Sequence, residues 1–315
     1  MIKSSKPKIV AVVGATATGK TGVGIGLALE FGGEIVNCDS RLFYRGMDVA
    51  TAKPSPDEKR GVPHHLIDIL DPNERFSLAE FLAIARTTIA DITSRGKLPV
   101  LVGGSGQYVW ALLEGWEVPE IEPDFELRNN LEKRLEDDGV EAIANQLRDI
   151  APEIAEKTDL ANPRRVIRAI ERVMSGATES ESTRRKPDDP PFDSLIIGLS
   201  VERSVLHERV LQRLESMKNI GWVAEVESLR NAGFSDDGRA MSGIGYRQML
   251  GHLAGDYDLD EAIRLTAVAT NRLIRQQSNW FKQEDSRINW FDMTTKPENV
   301  IIPITEIANN WLQKC

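Results

Sequence analysis

The chain has 315 residues, a net charge of −9 and 41% hydrophobic residues, enough to bury a large core and form one large domain plus a smaller one. This acidic balance argues against a protein that coats nucleic acid nonspecifically, because phosphate contacts need Lys and Arg. The sequence has no signal segment and no apolar stretch near about 18 residues, so we expect a cytoplasmic protein without a membrane anchor. Two cysteines and four histidines without ligand spacing argue against a disulfide framework and a transition-metal site.

Short apolar runs alternate with helical patterns along most of the chain, which predicts an α/β fold with a mostly parallel sheet flanked by helices. The predicted strands cover residues 9–13, 34–37, 66–69, 98–102, 195–199 and 288–291. Residues 116–187 instead show charged helical patterns, and residues 175–191 are polar and rich in helix breakers. We therefore predict an α/β core of residues 1–115 and 188–315 and a helical insertion of residues 116–187.

A phosphate-binding loop follows the first predicted strand. Residues 14–21 read GATATGKT, which matches G-x-x-x-x-G-K-S/T in the strand–loop–helix setting that this motif requires. Its glycines let backbone N–H groups turn inward, and the next helix adds the positive end of its dipole. We predict that the loop binds a phosphate or diphosphate, with Lys20 as a point charge and Thr21 as a hydroxyl ligand for Mg²⁺. The predicted binding residues are Gly14, Ala15, Thr16, Ala17, Thr18, Gly19, Lys20 and Thr21.

Three more glycines, Gly22, Gly24 and Gly26, fall inside the helix after this loop. Each costs about 1 kcal/mol relative to Ala in a helix interior. Their spacing does not match a dinucleotide-binding fingerprint. We interpret them as positions where the helix packs closely against the sheet.

Asp39 is the main candidate for proton transfer. It follows the second predicted strand, at the carboxyl edge of the sheet, where parallel α/β sheets bind their ligands. An Asp at this position is compatible with a general base, a metal partner or a helix-capping residue. We find no clean apolar strand ending in the Mg²⁺-binding Asp that nucleotide-hydrolysing P-loop proteins carry.

Five segments follow one another along the chain: GATATGKT, NCDSRLFYRGMDVATAKPSPDE, VPHHLIDILDPNERFSLAEF, PVLVGGSGQYVWALLEG and SGIGYRQM. In this order and spacing they resemble the tRNA isopentenyltransferase family over nearly the whole chain. The resemblance implies transfer of a dimethylallyl group from dimethylallyl diphosphate to N6 of the adenine 3′ of the tRNA anticodon, with release of pyrophosphate. It also implies that the P-loop holds the diphosphate of the prenyl donor, together with Mg²⁺ at Thr21.

The same resemblance implies three catalytic residues. Asp39 matches the family's catalytic Asp and accepts the proton of adenine N6, Arg213 contacts the diphosphate, and Thr16 reaches the same group from the loop. Arg209 and Arg213 are spaced i and i+4 on a predicted helix, which suits a dianion. A solvated helix face paired with neighbouring glutamates is the alternative interpretation of these two arginines.

The resemblance further implies a set of tRNA contacts. Arg164, Arg165 and Arg168 hold phosphates, which fixes register without reading sequence, and Ser105 lines a pocket for the extruded adenine. A basic helix face balanced by nearby glutamates is the alternative for the three arginines. The implied contact residues are Asp39, Ser40, Arg41, Leu42, Ser105, Arg128, Arg164, Arg165, Arg168, Ser242, Gly243, Ile244, Gly245, Tyr246 and Arg247.

Three other functions stay open. An isopentenyltransferase acting on free adenine nucleotides uses the same chemistry, although it needs no Arg-rich insertion. A small-molecule kinase holds ATP in the loop and uses Asp39 to deprotonate a hydroxyl. A noncatalytic nucleotide-dependent RNA-binding protein carries the same loop. For the leading interpretation we expect a monomer that binds tRNA, dimethylallyl diphosphate and Mg²⁺.

Overall fold

A computed structural model describes residues 6–118, 124–176, 189–236, 238–295 and 300–314. The chain divides into two compact units, one of residues 1–115 with 186–315 and one of residues 116–185. The polar connection predicted at residues 175–191 lies mostly outside the described residues.

The first unit contains a six-stranded parallel sheet, so the predicted α/β class is confirmed. The strands are β1 Lys8–Gly14, β2 Glu34–Asn37, β3 His64–His65, β4 Pro99–Val102, β5 Asp193–Ser200 and β6 Ile288–Asp292. They lie in the order β3-β2-β4-β1-β5-β6. Since β1 pairs with β4 on one side and β5 on the other, the phosphate-binding loop starts at the middle of the carboxyl edge.

One predicted strand is wrong. In the apolar run at residues 66–69, Leu66 and Asp68 have φ angles of 60° and 58°, in the left-handed region that an extended strand does not use. The third strand is the preceding pair His64–His65, which hydrogen-bonds with β2. Leu66 is apolar because its side chain is buried, and burial alone does not require an extended backbone.

Thirteen helices lie within the described residues. They are α1 Lys20–Phe31, α2 Pro56–Lys59, α3 Leu78–Ser94, α4 Gly106–Leu113, α5 Phe125–Asp138, α6 Val140–Ile150, α7 Pro152–Lys157, α8 Pro163–Met174, α9 Arg203–Asn219, α10 Trp222–Asn231, α11 Tyr246–Ala254, α12 Leu259–Trp280 and α13 Ile301–Leu312. Among these described helices, none has both the length and the apolar character needed to cross a membrane.

Close packing of α1 on the sheet explains why one of the three glycines inside this helix must be glycine. A Cβ at Gly24 would lie 2.4 Å from a side-chain carbon of Val102 in β4, so only glycine allows this contact. A Cβ at Gly26 would meet Ile301 of α13 at 3.3 Å. At Gly22, no described atom lies within 4 Å of the added carbon. The packing interpretation is therefore confirmed for Gly24 and wrong for Gly22.

The core of the first unit joins the central strands to α1 and α13 in one apolar cluster. Val10, Val12, Val100 and Ile197 are fully buried in it. Burial of each such side chain contributes about 1.5–3 kcal/mol relative to exposure. This packing fixes the carboxyl ends of the central strands, from which the phosphate-binding loop and Asp39 extend.

The second unit contains α5, α6, α7 and α8 around its own small core. Ile143, Leu147, Val166 and Ile170 are fully buried there. The apolar side chains of α8 recur at helical spacing, which places its charged residues on the opposite face.

Candidate active site at the carboxyl edge of the sheet

The loop after β1 has the backbone of an anion-binding turn. Gly14, Ala17 and Gly19 have positive φ angles of 139°, 63° and 93°. A Cβ at Gly14 would lie 2.5 Å from the carbonyl oxygen of Leu199, so no larger residue fits. Gly19 is the N-cap of α1, and no described side chain caps the helix. The N–H groups of the first turn therefore point at the place where an anion binds.

Lys20 lies within the same loop. Its Nζ donates to the carbonyl oxygen of Ala15 at 2.6 Å, and the buried Thr18 hydroxyl donates to the same oxygen at 2.9 Å. Burial lowers the pKa of Lys20 to about 8, against the raising effect of the Asp39 charge. An anionic ligand next to the ammonium group offsets this desolvation penalty, so the geometry suits a phosphate.

Arg213 of α9 reaches the loop from the other side. Its Nη1 donates to the Thr16 hydroxyl at 3.2 Å and its Nη2 to the carbonyl oxygen of Thr51 at 3.3 Å. Burial lowers the pKa of Arg213, and the charge of Asp39 opposes that shift. Arg209 instead donates to the carbonyl oxygen of Met293 at 2.7 Å. Of the two arginines at i and i+4, Arg213 is the one that contacts the loop.

Asp39 is half-buried directly after β2. Its Oδ1 accepts the backbone N–H of Arg41 at 3.0 Å, and its own N–H donates to Asn37 Oδ1 at 2.9 Å. The amide Nδ2 of the buried Asn37 also donates to the Asp39 carbonyl oxygen at 3.0 Å. The charge of Asp39 acts on both Lys20 and Arg213, so the three groups form one electrostatic cluster.

The turn that begins at Asp39 contacts two other segments of the first unit. The Ser40 N–H donates to Ser105 Oγ at 3.3 Å, and the N–H of the half-buried Leu42 donates to the Asp39 carbonyl oxygen at 3.1 Å. Arg41 Nη1 donates to the carbonyl oxygen of Arg239 at 3.1 Å. The turn after β2 is therefore joined to the start of α4 and to the segment before α11.

The segment SGIGYR, residues 242–247, leads into α11. Ser242 and Arg247 are exposed, whereas the side chain of Tyr246 is buried and its hydroxyl donates to Glu225 Oε1 at 2.6 Å. Burial, together with the nearby Glu225 carboxylate, raises the pKa of Tyr246. The structure thus gives the Tyr246 side chain a packing role. The tRNA contacts of this segment stay predictions, including those of Gly243, Ile244 and Gly245.

The second unit carries the remaining predicted tRNA contacts. Arg128 forms a forked ion pair with Glu171, with Nε–Oε1 and Nη2–Oε2 distances of 2.5 and 2.7 Å. The Glu171 side chain is 3% exposed, so this pair is an internal contact of the unit. Arg164, Arg165 and Arg168 are exposed on α8. Arg165 pairs with an aspartate at 3.2 Å and Arg168 lies 3.5 Å from Glu171. Their phosphate contacts stay predictions.

Several polar residues that hold the site together carry no recognisable signal in the sequence. Besides Asn37, these are Glu225, whose Oε2 accepts the N–H groups of Asp48 and Val49 at 2.8 and 2.7 Å, and Gln277. Gln277 accepts the Thr16 N–H at 2.8 Å. A polar residue on the buried face of a helix indicates such a role. This signal can be used only once the structure shows which face of the helix is buried.

Thr21 is the residue that fits a metal ion at this site. It is exposed in the first turn of α1, next to the N–H groups of the loop. Among the described residues, no group of three or more His, Cys, Asp or Glu is placed to hold a metal ion. Mg²⁺ keeps several waters and uses few protein ligands when substrate phosphates supply the rest. One hydroxyl beside an anion-binding loop fits that pattern.

Comparisons with known proteins agree on one family. The family model described as IPP transferase matches residues 42–284. The tRNA dimethylallyltransferase of Thermomicrobium roseum is 42% identical over 292 residues, which cover 92% of this chain and 88% of the relative. The tRNA dimethylallyltransferase of Geobacillus thermodenitrificans is 40% identical over 301 residues, which cover 95% of each chain.

Two solved structures share the fold. The full-length tRNA isopentenylpyrophosphate transferase of Bacillus halodurans matches with a TM-score of 0.73 and 37% identity, covering 98% of this chain and 97% of that one. A eukaryotic dimethylallyltransferase acting on tRNA matches with a TM-score of 0.79 and 25% identity, covering 97% and 79%. The resemblance seen in the sequence is thus confirmed, and the chain belongs to the IPP transferase family of tRNA dimethylallyltransferases.

Proposed function

We propose that this protein transfers a dimethylallyl group from dimethylallyl diphosphate to N6 of the adenine 3′ of the tRNA anticodon and releases pyrophosphate. One observation carries the proposal: the phosphate-binding loop, Arg213 and Asp39 form a single cluster at the carboxyl edge of the sheet. The names of the relatives, tRNA dimethylallyltransferases, support the same reaction.

In the proposed reaction, the C1–O bond of the donor breaks and its electron pair leaves with the diphosphate. The N–H groups of the loop, Lys20 and Arg213 stabilise the charge that develops on this leaving group. Adenine N6 is a poor nucleophile because its lone pair is delocalised into the ring, and it must lose a proton as it forms the new bond to C1. The Asp39 carboxylate accepts that proton.

Mg²⁺ is the proposed metal, and Thr21 is the residue that would hold it together with diphosphate oxygens. When bound, it adds positive charge beside the leaving group. Lys20 and Arg213 act on the same diphosphate from the protein side, each partly desolvated in advance. Hydrogen bonds to the Ala15 carbonyl oxygen and the Thr16 hydroxyl hold these two groups in place before the donor binds.

The proposed RNA contacts rely on exposed side chains in each unit. In the first unit they include Ser242 and Arg247, and in the second Arg164, Arg165 and Arg168. Arg side chains bind phosphates and so fix the position of the RNA, whereas the extruded adenine needs polar contacts of its own. The monomeric state and the cytoplasmic location stay predictions.

A product assay tests the proposal. The protein is incubated with an unmodified tRNA that carries adenine 3′ of its anticodon, dimethylallyl diphosphate and Mg²⁺, without ATP. We expect mass spectrometry to find one prenyl group on that adenine with the wild type and far less product in the same time with Asp39→Asn. Prenylation of free AMP but not of tRNA would favour the nucleotide enzyme, and no product with either acceptor would return the kinase interpretation.

A further inference from the structure

Gln277 of α12 bridges two segments at the carboxyl edge of the sheet, the phosphate-binding loop and the turn after β4. Its side chain is buried, and both the oxygen and the nitrogen of its amide form hydrogen bonds. Oε1 accepts the Thr16 N–H at 2.8 Å, and Nε2 donates to the carbonyl oxygen of Gly104 at 3.1 Å. One side chain, 261 positions after Thr16 in the sequence, thus ties the phosphate-binding loop after β1 to the turn after β4.

The packing around this amide leaves it little freedom. A Cβ at Gly104 would lie 2.4 Å from Gln277 Nε2, so the amide occupies the space that a side chain would need. One turn later in α12, Trp280 packs in the same way on Gly106, where a Cβ would lie 2.3 Å from the Trp280 side chain. The Trp280 carbonyl oxygen also accepts the indole N–H of Trp110 at 2.9 Å. The end of α12 is therefore docked at several points along this edge.

Thr16 links Gln277 to the guanidinium group of Arg213. Its N–H is held by Gln277, and its hydroxyl accepts a hydrogen bond from Arg213 Nη1. If the amide is removed, a partly buried N–H loses its partner and the turn at Thr16 loses its anchor. Arg213 then loses the fixed hydroxyl that orients one of its amino groups.

We infer that Gln277 is a positioning residue for the diphosphate group: it holds Thr16, and through Thr16 the Arg213 guanidinium, in the arrangement that receives the leaving group. This inference rests on the proposed function. The residue type matters, because the position needs an acceptor toward Thr16 and a donor toward Gly104 without a charge. A carboxylate would face the Gly104 carbonyl oxygen with a second acceptor and add a negative charge beside an anion site.

Two variants of the protein test the inference. Gln277→Met keeps the size and removes both hydrogen bonds, whereas Gln277→Glu keeps the shape and adds the charge. Gln276→Met and Gln276→Glu are matched controls, because Gln276 is the exposed neighbour in the same helix. The measurements are the Kd of pyrophosphate by calorimetry, the KM for each substrate, and Tm.

We expect both Gln277 variants to weaken pyrophosphate binding about 10- to 100-fold, the change that corresponds to one or two lost hydrogen bonds. The KM for dimethylallyl diphosphate rises in parallel while the KM for tRNA stays within about twofold. For Gln277→Glu the loss deepens as the pH rises from about 4 to 7 and the carboxyl ionises. Both controls behave as the wild type.

Unchanged pyrophosphate affinity in Gln277→Met would overturn the inference, whatever happens to Tm. Equal losses for pyrophosphate and tRNA would also overturn it, because they indicate a general structural role. Pyrophosphate binding does not depend on turnover, so the two proposals fail separately. A wild type that binds pyrophosphate in this Gln277-dependent way but does not prenylate tRNA contradicts only the proposed function.

Discussion

Arg213 donates from Nη1 to the hydroxyl of Thr16 at 3.2 Å and thereby joins α9 to the phosphate-binding loop. The other amino group of the same guanidinium donates to the Thr51 carbonyl oxygen. The guanidinium is therefore held between the loop and the segment that follows β2. A planar group held at two points is preorganised for a diphosphate in a way that a flexible ammonium is not.

We predict that Arg213→Lys lowers kcat/KM for dimethylallyl diphosphate about 100-fold, the usual effect of removing one donor to a developing negative charge. Arg209→Lys is the control, because Arg209 lies one turn earlier in α9 and donates to Met293 instead. Single-turnover kinetics with saturating tRNA measure both. Equal losses in the two variants would contradict a specific role for Arg213.

Asp39→Asn tests the proposed base. The amide retains an oxygen to accept the Arg41 N–H, so the turn should keep its shape. We expect kcat to fall about 10²- to 10⁴-fold, because the adenine N6 proton loses its acceptor, while tRNA affinity is preserved. Rapid-quench assays and filter binding measure the two quantities, with the exposed Asp57→Asn as a control. Lost tRNA binding with unchanged kcat would mean that Asp39 binds RNA and does not accept the proton.

The lowered pKa of Lys20 predicts a pH dependence. Burial holds this pKa at about 8 in the free protein, so the ammonium group loses its proton as the pH rises through that value. An anion binds the protonated form, and we therefore expect an unreactive dimethylallyl diphosphate analogue to bind more weakly from pH 8 to pH 9. Lys20→Arg should give a flatter profile, because a guanidinium stays charged. A decline of the same size in Lys20→Arg would show that another group titrates.

Tyr246→Phe separates packing from RNA contact. The Tyr246 hydroxyl holds Glu225, which in turn holds the N–H groups of the segment before Thr51. Losing this hydroxyl should raise the KM for dimethylallyl diphosphate several-fold, about 1 kcal/mol, and leave tRNA affinity unchanged. Arg247→Gln, at the exposed neighbour, should weaken tRNA binding instead. If Tyr246→Phe weakened only tRNA binding, the result would indicate that Tyr246 contacts the RNA directly.

Glu34, at the start of β2, predicts how the fold responds to acid. Its buried carboxylate accepts two hydrogen bonds from Arg95, at 2.5 and 2.8 Å, and lies 2.7 Å from His65 Nε2. The hydrogen bonds from Arg95 are the main cause that lowers the pKa of Glu34 to about 2, from 4.5. Because the folded pKa is the lower one, this stabilisation is present above about pH 4.5 and is lost as the pH falls toward 2.

We therefore expect Glu34→Gln to lower the free energy of unfolding by about 2 kcal/mol at pH 7, with the difference from wild type shrinking below pH 4.5. Urea denaturation at several pH values measures this. Glu30→Gln is the control, because Glu30 is exposed in α1. A difference that stays constant between pH 7 and pH 3 would contradict a contribution from the ionised carboxylate.

The sequence predicts the features that depend on local patterns. The central strands and the phosphate-binding loop are read from apolar runs and from glycines whose backbone angles the turn requires. The third strand is misplaced, because Leu66 is buried without being extended. Apolar character reports burial, and the backbone conformation must be inferred separately.

Contacts between distant parts of the chain cannot be predicted from such local patterns. Gln276 and Gln277 are identical neighbours in one helix, yet one is exposed and the other holds Thr16. Arg209 and Arg213 share a helix face and spacing, but their partners differ. Which of two similar residues contacts the phosphate-binding loop depends on which face of the helix packs against the loop. That orientation cannot be predicted from local patterns in a single sequence.

The most direct test of the central claim is the ratio of pyrophosphate released to prenylated adenine formed in tRNA, measured without any nucleoside triphosphate. We predict a ratio of one, since the phosphate-binding loop holds the leaving group of the prenyl donor. A requirement for ATP, or release of inorganic phosphate in step with the product, would contradict this use of the loop.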